Sequence, residues 1–421
     1  MFIFALNEFN NELLKTITNK YQLKNLQKLS KFNLSETHSI DEPSSGFLEP
    51  WVQWTSISLG VPSKKHNTKH LGDTKKFKMP QLWEKLESVE KKSIIWGLMN
   101  GAYRTPSKNI CFVPDPWSFD EKCSDSKNDS FIGLPRYLAQ FYGRLKFAVL
   151  IKKIFYFLFY LFRNFSIKEF VFIFSSLRPV FKNFGLSYTY FIVMYELISF
   201  KIFMKEYKKN KPDFSLFFMN SIAHIQHHYW KSGATNKIFA GYYIVDIILG
   251  DIYKNLSKNQ PIIILNSISQ TKLTKSERWN LYIPKNLNKL FKKLNISYMS
   301  IENLMTNDCH IFFDSINDKN NAKIIMNKTL VNKTKLFFFE DDPSNKKRLF
   351  MKINFSERLE NNTTFNYENC SFKFYDYFDY IVTSTGKHSQ VGHVYSKNIK
   401  FPNKFNNYHI HNHLLEYFNI N

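Results

Sequence analysis

Cysteine is scarce in this sequence, and its few cysteines lie far apart. Four occur among 421 residues, at Cys111, Cys123, Cys309 and Cys370, and no C-x-x-C pair is present. Zinc ribbons and disulfide-stapled domains need closely and regularly spaced cysteines, so the sequence argues against both. This usage is typical of a protein kept in a reducing compartment.

Long apolar runs are also missing. The most apolar stretch, residues 147–162, reads FAVLIKKIFYFLFYLF and is interrupted by Lys152 and Lys153. It is shorter than the ~20 apolar residues that a membrane-spanning helix needs. Two interpretations stay open: a helix packed against the protein, and a helix that lies in a membrane interface with its lysines and Arg163 against lipid headgroups.

The first residues lack the basic segment and the long apolar segment of a secretory signal. They begin directly with a short strand pattern, FIFAL, at residues 2–6. We therefore expect no signal peptide and a cytoplasmic location, with peripheral membrane contact as the open alternative.

Acidic residues are few beside basic ones, with 35 Asp and Glu against 58 Lys and Arg and a formal net charge of +23. Such a surface attracts anions of many kinds. The lysines are spread along the whole chain, and no arginine-rich arm, zinc finger or RNA-reading aromatic motif is present. The sequence thus predicts no specific nucleic-acid binding, and a small anionic or glycan substrate.

Short apolar runs alternate with helical patterns in the first and last parts of the chain. Strand patterns occur at residues 2–6, 93–97, 216–219 and 262–265, and helical patterns at 10–20, from Pro50, and at 80–91, 236–257 and 284–293. Residues 115–212 carry aromatic-rich helical patterns and no clear strand pattern. This alternation predicts an α/β fold with a mostly parallel sheet, a core of residues 1–105 and 213–421, and an inserted helical lobe at 106–212.

Three strand patterns end in asparagine, at Asn7, Asn220 and Asn266. The carboxyl ends of parallel strands are where open α/β sheets place their chemistry, so we expect these side chains at one edge of the sheet. A single asparagine after a strand is an ordinary turn residue. Three of them in equivalent positions indicate a functional edge.

Other motifs lie at fixed places around these strand ends. Asn220 opens a segment that carries His224, His227 and His228. A helix pattern begins at Glu49-Pro50 and leads to LGVPSKKHN at residues 59–67, and a late turn contains Gly386, His388 and Gly392. In this order, the motifs resemble those of the alkaline phosphatase superfamily, particularly its type I phosphodiesterase/nucleotide pyrophosphatase branch and sulfatase-like relatives.

The resemblance implies a three-layer α/β/α sandwich and a two-metal site whose aspartates are asparagines here. One metal would be held by Asn220, His224 and His388. The second site, which matches Asn7, Asn266 and Ser267, is degenerate because no strong ligand remains there. Two dications about 4 Å apart repel by ~16 kcal/mol at an effective dielectric constant of about 20, and neutral amides do not offset this. We therefore expect one weakly bound divalent metal, zinc or manganese, or none if the site is degenerate.

The nucleophile of the family falls at Pro50, beside Glu49. Glu49 is then open to three roles: a metal ligand, a carboxylate nucleophile, or a charge at a helix N-terminus. Gln53 stands where phosphodiesterase relatives carry an asparagine that donates to an oxygen of the transferred group. His227 and His228 lie in the same helix-start segment as His224 and are candidate substrate-binding residues, with a structural contact as the open alternative.

The resemblance implies a divergent hydrolase or transferase that acts on a phosphoester, in particular a phosphodiester, or on a sulfate ester, with surface polysaccharide metabolism as its context. The alternative is a catalytically degenerate relative that binds a phosphorylated or acidic glycan, a nucleotide-sugar or a partner protein. Whether the chain is an enzyme stays open at this point, because the expected metal ligands are neutral.

Overall fold

A computed structural model describes residues 1–73, 77–141, 145–231, 235–304, 308–342 and 345–420. Its contacts divide the chain into two compact units. The first contains residues 1–136, 152–272 and 385–421, and the second contains residues 137–151 and 273–384. The division expected from the sequence differs from this one, because most of residues 106–212 fall in the same unit as the parallel strands. The predicted boundaries stay a prediction.

The first unit is built on an eight-stranded sheet. Its strands are β1 (Phe2–Leu6), β2 (Asn33–His38), β3 (Ser93–Trp96), β4 (Ile110–Val113), β5 (Phe214–Met219), β6 (Ile262–Leu265), β19 (Val391–Lys397) and β20 (Lys404–Asn406). Their order across the sheet is β20-β2-β19-β6-β1-β5-β3-β4. A separate two-stranded ladder joins β7 (Ser269–Lys272) to β18 (Gly386–Ser389).

The sheet is mostly parallel. Strand β1 pairs in parallel with β5 and β6, β3 pairs in parallel with β4 and β5, and β2 does so with β20. Strand β19 runs antiparallel to both of its neighbours, β2 and β6. The predicted α/β class with a mostly parallel sheet is confirmed.

Helices cover both faces of this sheet. The helices from the first half of the chain are α1 (Asn11–Tyr21), α2 (Lys24–Gln27), α3 (Pro50–Leu59), α4 (Ser63–His66), α5 (Leu82–Glu87), α6 (Asp129–Gln140), α7 (Phe147–Asn164), α8 (Ile167–Ser176), α9 (Arg178–Phe184) and α10 (Tyr188–Asn210). Helices α11 (Ser221–Tyr229), α12 (Asn236–Asn255) and α16 (Ile410–Tyr417) follow. No helix in the described part of the chain is both long and apolar enough to cross a membrane.

The side chains of β1 show how the layers form. Because neighbouring residues of a strand point to opposite faces, Phe2, Phe4 and Leu6 enter the core shared with α1, α10 and α12. Ile3 and Ala5 enter the core shared with α3, α5 and α16. A central strand with helices on both sides buries both faces, which explains its uninterrupted apolar run.

The aromatic-rich segment that the sequence assigned to a lobe contributes to the main sheet and its core. Strand β4 lies just before it, within the predicted lobe of residues 106–212, although no strand pattern was recognised there. From α10, Phe200 and Phe203 pack on Phe217 of β5, with ring centroids 5.2 and 5.3 Å apart. The helical content of the segment agrees with the prediction, because its apolar residues recur at helical spacing.

The second unit is an α+β arrangement with its own core. Its strands are β8 (Trp279–Pro284), β9 (Ser300–Asn303), β10 (Cys309–Phe312), β11 (Leu330–Val331), β12 (Thr334–Lys335), β13 (Phe337–Asp341), β14 (Arg348–Ile353), β15 (Thr364–Tyr367), β16 (Cys370–Lys373) and β17 (Phe378–Ser384). Its helices are α13 (Leu287–Lys293), α14 (Ile316–Lys328) and α15 (Phe374–Tyr377). The strands pair antiparallel, and Leu290, Phe291 and Phe378 are fully buried among them.

Candidate functional site

The three strand-terminal asparagines lie at one edge of the sheet. Strands β6, β1 and β5 are neighbours in that order and are parallel, so their carboxyl ends come together. Asn7 follows β1, Asn220 follows β5 and Asn266 follows β6. The three asparagines thus share one edge of the sheet, as expected from their positions after the strands.

Asn7 and Asn220 are hydrogen-bonded to each other. Nδ2 of Asn7 donates to Oδ1 of Asn220 at 2.7 Å and to Oε1 of Glu8 at 2.9 Å. Oδ1 of Asn7 in turn accepts from the Trp54 indole N–H at 2.8 Å. An aspartate could not make the two donations, so the amide is required by this network.

Asn266 is bound on both sides by the backbone. Its Nδ2 donates to the Phe9 carbonyl at 2.6 Å, and its Oδ1 accepts from the His393 amide at 2.6 Å. Oγ of the neighbouring Ser267 is buried and has no hydrogen-bond partner among the described residues. Asn266 therefore helps to join β6 to β19, and a second metal at Asn7, Asn266 and Ser267 would have to compete with these bonds.

Glu8 is the centre of a cluster that the sequence motifs did not single out. Its backbone has φ +54°, and its side chain is 3% exposed. Oε2 of Glu8 lies 2.9 Å from Nε2 of His227 and 3.2 Å from Nε2 of His388. The left-handed backbone turns the carboxylate into the protein directly after β1, at the edge where the chemistry of open α/β sheets lies.

Two buried glutamines fix Glu8 further. Gln270 donates to Oε2 of Glu8 at 2.5 Å and to the Ala223 carbonyl at 3.0 Å. Gln226 donates to the Glu8 carbonyl at 2.8 Å. Every acceptor of the carboxylate is therefore approached by a donor, and a buried anion is tolerated only when it is paired in this way.

The β7–β18 ladder brings His388 to the cluster. His388 pairs in register with Gln270, the residue that also holds Glu8. Gly386 precedes it, and a Cβ there would lie 2.6 Å from Oε1 of Gln270 and 3.3 Å from the Gln226 carbonyl. Glycine is needed at this position because the strand approaches the glutamines closely. Nδ1 of His227 lies 3.1 Å from the Gly386 carbonyl, which orients its ring.

The cluster carries one strong ion pair. Burial disfavours the charged form of Glu8, but His388 and His227 outweigh it and hold the pKa of Glu8 well below its ordinary value. Burial likewise disfavours protonated His388, but Glu8 and then Glu49 outweigh it and raise the pKa of His388 to about 9. Without a bound cation, His388 is therefore an imidazolium near neutral pH.

Glu49 borders this cluster. It is the residue before α3, which begins at Pro50 as the sequence predicted, and its Oε2 lies 3.5 Å from Nδ1 of His388. Its side chain is 37% exposed, whereas that of Glu8 is 3% exposed. A bound molecule could therefore reach Glu49 more readily than Glu8.

His224 and His228 lie together beside this group, on α11. Their ring centroids are 4.6 Å apart, and Nε2 of His224 lies 3.2 Å from the Thr189 hydroxyl. Burial lowers the pKa of His224 to about 4 and that of His228 to about 2, and neighbouring histidines add to both effects. Both rings are neutral near pH 7. The predicted metal set of Asn220, His224 and His388 stays a prediction.

Gln53 is 1% exposed and lies within a polar network. Its amide nitrogen donates to Asp41 and to the Phe47 carbonyl, both at 2.7 Å, and its Oε1 accepts from Asn407 at 2.7 Å. Donation to a substrate oxygen, as predicted for Gln53, would require at least one of these bonds to break.

Glu8, His227 and His388 form a group suited to a metal ion. One ligand atom from each lies within 4.8 Å of the other two. A carboxylate with two imidazoles, and with positions left for solvent or substrate, is a donor set that zinc, manganese and related ions accept. The signal in the sequence was a carboxylate directly after the first strand-terminal asparagine, but its partners could not be identified without the fold.

No protein-family model matches this chain. No curated protein matches it either. Among solved structures, phosphonoacetate hydrolase from Sinorhizobium meliloti is similar with 10% identity and a TM-score of 0.47, over 97% of this chain and 93% of that one. Murine and human ectonucleotide pyrophosphatase/phosphodiesterase 5 are 9% and 8% identical, with TM-scores of 0.46 and 0.44, over 100% of this chain and 95% of theirs.

At these values, neither an activity nor a ligand carries over from those proteins to this chain. The resemblance described from the sequence rests on the chain's own residues: the strand ends at Asn7, Asn220 and Asn266, His224 on α11 and His388 on β18. By these motifs, the chain resembles the alkaline phosphatase superfamily.

Proposed function

We propose that this chain is a divergent hydrolase or transferase that acts on a phosphoester with one divalent cation, zinc or manganese. The observation that carries the proposal is the convergence of Glu8, His227 and His388, whose ligand atoms lie within 4.8 Å of one another. They converge at the carboxyl edge of parallel strands, where catalytic groups are expected. When bound there, a divalent cation would polarise a phosphoryl oxygen and lower the pKa of a coordinated water.

The surrounding residues would prepare this site before a cation or substrate arrives. Asn7 and Gln270 donate to Glu8 and hold its carboxylate in one orientation. The Gly386 carbonyl fixes the ring of His227 through its other nitrogen. Groups that orient a ligand through its second polar atom raise metal affinity. A cation bound here would displace the proton of His388, so its affinity should rise with pH.

Glu49 is the carboxylate that we assign to the substrate side. It is the more exposed of the two glutamates at the cluster, and it contacts His388. In that position it can take the proton of an attacking water or alcohol, while the ester oxygen leaves with a proton from solvent. A general base is thus a fourth role for Glu49, beside the three that the sequence left open: a metal ligand, a carboxylate nucleophile and a charge at the N-terminus of α3.

The substrate class follows from charge. The chain carries a net charge of +23, which raises the local concentration of anions. We propose a phosphodiester as the first candidate substrate and a sulfate ester as the second. Both esters present anionic oxygens to a cation. A glycan-linked ester of surface polysaccharide metabolism is the context that the sequence resemblance suggests.

A catalytically degenerate binding protein is the second candidate, and one observation favours it. The Glu8–His388 ion pair satisfies both groups without a metal, and the amides of Asn7 and Asn266 are engaged in protein hydrogen bonds. Such a protein would bind a phosphorylated or acidic glycan, a nucleotide-sugar or a partner protein at the same edge.

Metal content by mass spectrometry separates these candidates. Purified wild-type protein is compared with His227→Ala, His388→Ala and His224→Ala, and with His413→Ala on α16 as the control outside the site. We expect about one zinc or manganese per chain, lost in the first two variants and retained in the last two. Hydrolysis of bis(p-nitrophenyl) phosphate should disappear with the metal and fall in Glu49→Gln without loss of metal.

Each other outcome has a definite meaning. Loss of metal in His224→Ala with retention in His227→Ala would assign the ion to Asn220, His224 and His388 instead. If the wild-type protein takes up neither zinc nor manganese after dialysis against both, the hydrolase is excluded in favour of the binding protein.

A further inference from the structure

Helices α7 and α8 expose large apolar side chains on the side turned away from the core. Phe155, Phe159 and Phe162 of α7 are 64%, 52% and 71% exposed. Ile167, Val171 and Phe174 of α8 are 83%, 62% and 59% exposed. We call these six residues the apolar face.

The apolar face is continuous along each helix. Its members stand at positions i, i+4 and i+7 of their helices, a spacing that puts them on one side. The rings of Phe155 and Phe159 stack with centroids 6.4 Å apart, and Phe162 reaches Phe170 of α8 at 5.8 Å. Contiguous exposed apolar surface of this kind marks an interaction site in a soluble protein.

The core does not require this side of the helices. From α7, Phe157, Tyr160 and Leu161 are buried, and from α8, Ile173 is buried. These residues supply the contacts that hold both helices on the first unit. The side chains of the apolar face are therefore not needed to hold the helices in place. A helix with only a structural role would carry polar residues there.

Basic residues are frequent in the segment that carries the apolar face. Exposed cations in residues 152–191 are Lys152, Arg163, Lys168, Arg178 and Lys182. The only acidic residue in that range is Glu169, which is paired with Lys205 at 2.8 Å. The guanidinium of Arg163 lies 5.5 Å from the Phe159 ring, so at least one of these cations lies directly beside the apolar face. An exposed apolar face in a basic segment is complementary to a partner that offers both apolar groups and negative charge.

We propose that the apolar face docks on the surface of a membrane that contains anionic lipid. Interfacial helices bury Phe, Leu and Ile among the acyl chains, and their Lys and Arg residues contact the headgroups. A second copy of this chain would bring like charges together around the same face, which disfavours self-association there. The sequence left two interpretations of residues 147–162 open, a helix packed against the protein and a helix in a membrane interface. Because α8 is also apolar and exposed, we favour the membrane interface. This proposal does not depend on the metal site.

Vesicle co-sedimentation of the full chain tests the proposal. We expect binding to vesicles of phosphatidylcholine with phosphatidylglycerol, at least about tenfold weaker binding to phosphatidylcholine alone, and weakening by salt. Phe159→Glu/Val171→Glu should lose binding. The matched control is Ile40→Glu/Val89→Glu, which adds the same charge at exposed apolar residues of the first unit, 47% and 45% exposed, and should bind like wild type.

Three results would overturn the proposal. The first is the absence of binding by wild-type protein, and the second is equal loss in the control variant. The third is a wild-type dimer, seen by light scattering, that becomes a monomer in Phe159→Glu/Val171→Glu, since this would assign the face to a second copy. Metal content and ester hydrolysis are measured in the same variants and should be unchanged, which separates this proposal from the proposed function.

Discussion

At the scale of the residue, Asn7 shows what an amide does where a carboxylate would be expected. It donates to Glu8 and Asn220 and accepts from Trp54. In Asn7→Asp, both donations are lost and a second anion stands beside Glu8. We expect the free energy of unfolding to fall by about 2–4 kcal/mol.

Urea unfolding of the purified variant measures this loss. Asn412→Asp on α16 is the control, because that residue is exposed and the charge change is the same. Equal stability of the two variants would show that the hydrogen bonds donated by Asn7 contribute little to the free energy of unfolding. A carboxylate at position 7 would then be compatible with the fold.

At the same scale, the Asp115 carboxyl makes the free energy of unfolding depend on pH. It is 1% exposed, and burial raises its pKa from 3.8 to about 6 despite hydrogen bonds from Asn100, Trp117 and Ser118. The folded protein therefore holds a proton that the unfolded chain releases near pH 4. Stability from this group is complete below about pH 4 and is lost as the pH rises to about 6, a change of at most ~3 kcal/mol.

The test is unfolding of Asp115→Asn between pH 4 and pH 7. This variant should lack that part of the pH slope, while Asp120→Asn, at an exposed position of the same loop, should follow wild type. A slope that survives in Asp115→Asn would assign the effect to another group.

At the scale of the element, α3 depends on the glycine that ends it. Gly60 has φ +70°, and its N–H donates to the Ser56 carbonyl at 2.9 Å. An added Cβ would lie 2.6 Å from Cδ2 of His411, which is fully buried. We expect Gly60→Ala to cost about 2–5 kcal/mol, from the backbone conformation together with the clash.

Gly46 separates these two causes. It has φ +73°, but a Cβ there would meet nothing within 4 Å. Gly46→Ala should therefore cost only about 1–2 kcal/mol, from the left-handed backbone alone. If urea unfolding gives the same loss for both variants, the contact with His411 does not contribute to the end of α3.

At the scale of the whole molecule, the charge of +23 opposes compactness. Raising ionic strength from about 0.01 M to about 0.15 M shortens the Debye length from about 30 Å to about 8 Å and screens this repulsion. We expect the thermal midpoint to rise over that range. A midpoint that falls would mean that surface ion pairs, such as Lys205 with Glu169, stabilise the fold more than the net charge destabilises it.

Local sequence signals account for the elements that carry the site. An apolar run followed by asparagine predicted the ends of β1, β5 and β6, and Pro50 with Gly60 predicted the limits of α3. Strand β2 and strand β4 were not recognised. In β2, at residues 33–38, only alternate side chains are buried, so it lacks the continuous apolar run that marked β1 and β6. The stability of a strand at or near the edge of a sheet depends on pairing with its neighbours. Local sequence patterns do not contain that information.

The sequence by itself determined that three strands end in amides and that histidines follow one of them, because these are properties of adjacent residues. Only the tertiary structure decided which histidines meet which carboxylate. Glu8 faces inward because its backbone is left-handed, and His388 reaches it because β18 pairs with β7. That encounter joins residues far apart in the chain, and it depends on burial and strand pairing that no local pattern contains.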